Sequence, residues 1–115
     1  MKIAYLIHCL RELFFDFIPL SSETIKGRGK YFVFEGLSKG ENRSLEGSFK
    51  LLIAFNTLDK DMNAGLEASD ECVLKIFENQ ALNKQTRMIF EGLRLNAINE
   101  GLFVYEISIK LKVAL

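Results

Sequence analysis

The chain has 115 residues and no net formal charge, with 15 basic and 15 acidic side chains. This length suits a single domain over residues 1–115 with its own core, and it is too short for two domains. Proteins that bind nucleic acid usually contain more basic than acidic residues, so the balanced charge argues against specific nucleic-acid binding.

The first predicted element is an amphipathic helix at the N-terminus. Apolar side chains recur at helical spacing and form one stripe: Ile3, Leu6, Ile7, Leu10, Leu13, Phe14 and Phe17. Pro19 ends the helix, because the residue before a proline is pushed out of the helical conformation. Arg11, Glu12 and Asp16 interrupt the apolar run, so we expect neither a signal peptide nor a membrane span. The stripe covers a sheet of this chain or meets a partner subunit.

Two strands follow a polar loop that extends from Ser21 to Gly29. The loop contains Gly-Arg-Gly-Lys but lacks the spacing of a phosphate-binding motif. Lys30–Leu37 predicts a strand that is apolar on both faces, which makes it central or part of an interface. The next strand has one apolar face, with Gly47 as the expected position of a β-bulge. That face is formed by Leu45, Phe49, Leu51, Ile53 and Phe55.

The segment before the second predicted helix contains the one pattern that is typical of a metal site. Asp59, Asp61 and Asn63 lie two residues apart, as in the first half of a calcium loop. Alanine replaces the sixth-position glycine of that loop, and aspartate replaces the glutamate at its twelfth position. Helix capping explains the same residues better. We therefore predict that no calcium binds and that a helix runs from Asn63 to about Leu82.

The chain ends in a long predicted hairpin. Its last strand places alternate apolar side chains on one face: Phe103, Tyr105, Ile107, Ile109, Leu111, Val113 and Leu115. Asn99-Glu100-Gly101 supplies the turn, and a phase change at Gly92 indicates a β-bulge in the strand before it. Because chain ends fray, we expect the loss of Val113–Leu115 to cost little stability. The elements together predict an α+β fold, with an antiparallel sheet of about four main strands and two packed helices in the order α-β-β-α-β-β.

The sequence predicts no catalytic, cofactor-binding or metal-ligating residue. A hydrolase triad needs a histidine, and His8, the only one, lies on the first helix without a motif partner. The two cysteines, Cys9 and Cys72, lack metal-type spacing, so we expect free thiols that behave as small buried hydrophobes. The carboxylates lie in loops and on solvent faces, so none is expected to have a strongly raised pKa. We therefore expect a binding or structural role, not an enzyme.

The order of the elements resembles the tail-terminator proteins of long-tailed bacteriophages, including the minor tail proteins of Mu-like prophages. The features that carry the resemblance are the N-terminal helix, the helix Asn63–Leu82 between two β hairpins, and the final hairpin Gly92–Leu115. It implies a homo-oligomeric ring, a hexamer, that caps the tail tube and meets the head-tail connector proteins. It also implies a location in the virion or in the cytoplasm of the bacterial host. No residue is carried over as a site.

A surplus of apolar surface supports self-association independently of the resemblance. Residues 31–34 are apolar on both faces, Leu102 and Val104 lie on the polar face of the last strand, and Phe14, Phe15 and Phe17 crowd one helix end. Large exposed apolar patches usually mark interaction sites. Two further classes of function stay open at this point. One is a small phage-type binding or inhibitory module that docks on a host protein, and the other is a small ligand-binding α+β domain.

Overall fold

A computed structural model describes residues 3–19, 29–56, 62–82, 84, 86–98 and 102–114. Over these residues the fold is α+β, as predicted, with two helices and five strands. In chain order the elements are α1 (Ile3–Leu13), β1 (Ile18–Pro19), β2 (Gly29–Lys39), β3 (Ser44–Asn56), α2 (Met62–Glu78), β4 (Thr86–Ile98) and β5 (Leu102–Ala114).

The sheet is mixed, and its strand order is β1-β2-β3-β5-β4. The predicted four-stranded antiparallel sheet corresponds to β2–β5, whose pairings are all antiparallel. The prediction lacked β1, which runs parallel to β2 and pairs Ile18 with Tyr31 and Pro19 with Phe32. A strand of two residues has no periodicity to detect, and Pro19 indicated only the end of a helix.

The first helix ends at Leu13, about one turn before its apolar stripe ends. The Phe14 amide still donates to the Leu10 carbonyl at 2.8 Å, but the Phe17 amide donates to the Phe14 carbonyl at 3.0 Å, which closes a tighter turn. This turn buries both phenyl rings edge to face, with centroids 5.7 Å apart. The helical spacing of Phe14 and Phe17 therefore reflects tertiary burial and not a longer helix.

Two β-bulges interrupt the long strands, and the sequence located one of them. The register of β4 against β5 shifts between Phe90 and Gly92, which confirms the predicted bulge. The bulge expected at Gly47 is wrong, because Gly47 pairs regularly with Leu37. The irregularity lies on the partner strand β2, between Phe34 and Gly36.

Both helices contribute to one hydrophobic core on one face of the sheet. The fully buried strand residues there are Phe49, Leu51, Ile107, Ile109, Leu111 and Val113. Leu10 of α1 and Ile76 of α2 are also fully buried in this core. The predicted stripe of the first helix therefore covers the sheet of its own chain.

The C-terminal end of β5 is not a frayed end. Val113 is fully buried and pairs with Leu45 on one side and Thr86 on the other. Because Val113 is buried in a central strand, we expect the loss of Val113–Leu115 to cost more stability than the sequence alone indicated.

Several sequence predictions fall outside the described residues. They concern residues 21–28 of the polar loop, the turn Asn99-Glu100-Gly101, and Asp59 and Asp61 of the calcium-like pattern. The predicted helix is present, but it spans Met62–Glu78 and does not reach Leu82.

Candidate functional site

A small pocket lies between the end of α1, the start of β2 and α2. Its volume is about 190 Å³. Aromatic rings and a thiol contribute apolar surface, and two lysines and two carboxylates contribute charge. The lining residues are Phe14, Asp16, Phe17, Lys30, Ala68, Glu71, Cys72 and Lys75.

Three of the four charged groups of the pocket, Asp16, Lys30 and Lys75, are already engaged with partners in this chain. Lys30 Nζ lies 2.8 Å from Asp16 Oδ2 and 5.7 Å from the centre of the Phe17 ring. Lys75 Nζ lies 5.7 Å from the Phe14 ring centre, within cation–π distance. Partial burial opposes ionisation of Asp16, but the hydrogen bond and charge of Lys30 prevail and lower the pKa of its carboxyl. The ion pair between Lys30 and Asp16 therefore links the turn after α1 to β2.

Cys72 has the environment of a structural thiol. It is free, buried and part of the hydrophobic core. Burial raises the pKa of its thiol to about 12, although the charges of Lys30 and Lys75 act in the opposite direction. A thiol with so high a pKa is almost wholly protonated at neutral pH, and only the thiolate is a good nucleophile. The pocket therefore lacks an activated nucleophile at Cys72.

The two other residues considered for chemistry lie on α1. His8 is exposed, and its Nε2 lies 3.0 Å from Glu12 Oε1, one helical turn away. Cys9 is partly buried and is also free, in agreement with the expectation of free thiols. In the described part of the chain, the residues that line the shallow pocket beside His8 include no serine, threonine or cysteine. Among the described residues there is no group of three or more His, Cys, Asp or Glu side chains that is able to hold a metal ion.

The sheet face away from the helices carries networks of ion pairs. Lys50 Nζ lies 2.6 Å from Glu106 Oε1 and 3.2 Å from Glu35 Oε2. The hydrogen bond to Glu106 outweighs partial burial and raises the pKa of Lys50. Glu106 also accepts a hydrogen bond from Asn96 at 2.6 Å and lies 3.8 Å from Arg94.

A second network consists of Lys110, Lys112, Glu46 and Glu91. Because the charges are mutually paired, this face suits water better than a strongly charged ligand.

An uncovered apolar surface lies at the opposite edge of the molecule from β1. On α2, Leu74 is 59% exposed and Phe77 is 51% exposed, and the Phe77 ring lies 5.5 Å from that of Phe90, centre to centre. Along β4 the next residues on the same face are Leu93 and Leu95, which are 38% and 48% exposed. We call Leu74, Phe77, Phe90, Leu93 and Leu95 the β4 strip.

The backbone beside the β4 strip is also unpaired. Segment 80–82 covers the first residues of β4, through hydrogen bonds from Leu82 to Thr86 and from Met88 to Gln80. From Ile89 to Ile98, no strand in the described part of the chain pairs with the outer side of β4. An edge of this length with apolar side chains is a ready surface for pairing with another chain.

The apolar surplus expected from the sequence is present in part and lies elsewhere. Phe14 and Phe17 are buried, whereas Phe15 is 79% exposed. Val104 lies on the face of β5 that carries the ion pairs, as expected, but it is buried there and pairs with the buried Ala54. Sequence reasoning missed the β4 strip because Leu93 and Leu95 alternate just as core residues do.

The fold and these surfaces define a small α+β protein with one helix-covered sheet face and one charged face. No family model matches the sequence, and no curated protein matches it either. No helix among the described residues is long and apolar enough to cross a membrane.

Proposed function

We propose that the chain is a non-enzymatic structural protein of the tail-terminator kind. In this proposal, copies of the chain assemble into a closed ring, a hexamer, that caps a phage tail tube and contacts the head-tail connector. The protein acts in the virion or in the host cytoplasm during assembly. The order of the main elements supports it, since α1 precedes two β hairpins that are separated by α2 and the chain ends on the long hairpin β4–β5.

The observation that carries the proposal is the β4 strip beside an open strand edge. Leu93 and Leu95 share a sheet face with the fully buried Ile107, yet neither helix covers them. Leu74 and Phe77 extend the same apolar surface onto α2. Apolar side chains and unpaired backbone groups are desolvated together when another strand docks, which favours a protein partner over a small ligand.

The test measures absolute mass by light scattering over a range of protein concentrations, together with negative-stain imaging. We expect mass to increase with concentration and annular particles to appear at the upper end, or on addition of tail tubes. Leu95→Lys places a charge in the β4 strip and is expected to abolish association. Phe15→Lys is the matched control, because Phe15 is also exposed but lies in the turn after α1 and not on a strand edge.

The outcomes separate this function from its competitors. A monomer at every concentration, with no annular particles and no binding to tail tubes, contradicts the proposed function. A monomer that binds one host protein through the β4 strip would instead identify a small binding or inhibitory module. Equal loss of association in the Leu95→Lys and Phe15→Lys variants would show that the β4 strip is not the interface.

A further inference from the structure

The sheet has a second open edge, on β2. The short strand β1 pairs only with Tyr31 and Phe32, at the start of β2. From Val33 to Lys39, no strand in the described part of the chain pairs with the outer side of β2. Leu37, which lies in this open segment, is 37% exposed. The sheet therefore has two open strand edges, one on β4 and one on the second half of β2. Each edge carries at least one exposed leucine.

The two open edges run in opposite directions. β2 is antiparallel to β3, β3 to β5, and β5 to β4, so β2 and β4 are antiparallel to each other. When a second copy continues the sheet in the same orientation, its β2 lies antiparallel beside β4 of the first copy. Antiparallel pairs are slightly more stable per residue than parallel ones. Such a contact keeps the helices of all copies on the same side of the continued sheet.

One register of this contact matches the side chains on both faces. Leu37 and Leu93 both project from the face that carries the helices, so pairing them covers two exposed apolar groups with each other. The same register sets Arg94 opposite Gly36, on the face that carries the ion pairs. A Cβ atom at Gly36 would have no neighbour within 4 Å, so there is space there for the Arg94 side chain.

The charges beside this contact are complementary. Arg94 opposite Gly36 lies next to Glu35, whose carboxylate reaches Lys50 on the same face of the sheet. In a two-fold β4–β4 contact, the register that pairs Leu93 with the Leu95 of a second copy sets Arg94 directly opposite another Arg94, and like charges directly opposite are destabilising.

We propose that copies of this chain join head to tail by strand addition, β4 of one copy to the open half of β2 in the next, with Leu93 beside Leu37. This inference rests on the proposed function and specifies the joint of its ring. A head-to-tail contact uses two different surfaces and closes into a ring when its rotation allows, whereas a two-fold contact stops at a dimer. The occupant of the β4 edge is a second copy of this chain.

Disulfide trapping between separately mutated copies tests the joint. All test proteins carry Cys9→Ser, because Cys9 is only partly buried, and retain the buried Cys72. Chains with Leu37→Cys are mixed with chains with Leu93→Cys under a mild thiol oxidant. Directly opposite residues of antiparallel strands place their Cβ atoms about 4.5–5.5 Å apart, close enough for a disulfide after a small adjustment. We expect covalent dimers in the mixture and none in either protein alone.

Further variants make each outcome decisive. A chain with both Leu37→Cys and Leu93→Cys is expected to give a ladder of covalent multimers. Covalent dimers of Leu93→Cys or Leu95→Cys chains alone would indicate a two-fold contact and overturn the inference. Oligomers without covalent dimers in the mixture would place the joint elsewhere and leave the ring proposal intact, whereas monomers at every concentration contradict both. Circular dichroism melts of each variant establish that all of them are folded.

Discussion

The strongest test of the architecture is a charge at Ile107, which is fully buried at the centre of β5. Ile107 pairs with Leu51 on β3 and Leu93 on β4. Replacing it with alanine removes buried methylenes and leaves a cavity, at a cost of about 2–5 kcal/mol. A domain of this size is usually stable by roughly 6–17 kcal/mol, so we expect Ile107→Ala to fold with a lower melting temperature.

Ile107→Asp is expected to unfold the domain. It loses the same apolar contacts, and in addition an unpaired carboxylate must leave water or become protonated, which costs several kcal/mol more. The matched control is Ser108→Asp, the same new charge one residue later. Ser108 faces the other side of the sheet and pairs with Lys50, so the control should keep wild-type stability within about 0.5 kcal/mol.

Urea unfolding followed by far-ultraviolet circular dichroism measures all three variants. The expected order of stability is Ser108→Asp near the wild type, then Ile107→Ala, with no cooperative transition for Ile107→Asp. A cooperative, wild-type-like transition for Ile107→Asp would refute the assignment of this face of β5 to the core. Equal destabilisation by Ser108→Asp would show that the two faces of β5 are not distinguished as described.

Three further predictions concern buried groups. Because burial raises the pKa of Cys72 to about 12, a thiol reagent at pH 8 should modify Cys9 in the native protein and reach Cys72 only after denaturant is added. Among the described residues, the buried hydroxyl of Thr86 has no hydrogen-bond partner, so Thr86→Val should raise the free energy of unfolding by about 1 kcal/mol. A decrease in a urea titration would contradict this. Val113→Ala should lower it by about 2 kcal/mol, whereas Ala114→Gly, at an exposed position, should change it less.

Side-chain periodicity predicted the strand faces well because it reports the local alternation of burial. The alternation from Phe103 to Val113 agrees with the face that the helices cover, and the phase change at Gly92 agrees with the bulge. Periodicity contains no information on which strands become neighbours. The apolar strand that begins at Lys30 was predicted to be central or part of an interface, and it lies next to the end of the sheet, beside β1.

The same limit explains why the candidate interface was not visible in the sequence. Leu93 and Leu95 have the spacing of core residues, and in a longer sheet they would be core residues. They are exposed because β4 is the last strand and because α2 leaves this part of its face uncovered. The location of the exposed apolar surface depends on where the helices pack on the sheet, which side-chain periodicity does not predict.

Open strand edges usually favour unspecific aggregation. The open edges of β2 and β4 both contain features that restrict pairing with another strand. A β-bulge interrupts β2 after Phe34 and β4 after Phe90, and bulges disturb the ladder and twist the strand locally. A partner strand must therefore match these irregularities, which excludes most registers. The charged groups Glu35, Glu91 and Arg94 lie at or near the bulges and penalise like charges in a wrong register. If copies of the chain join as proposed, these features favour one defined register over indiscriminate aggregation.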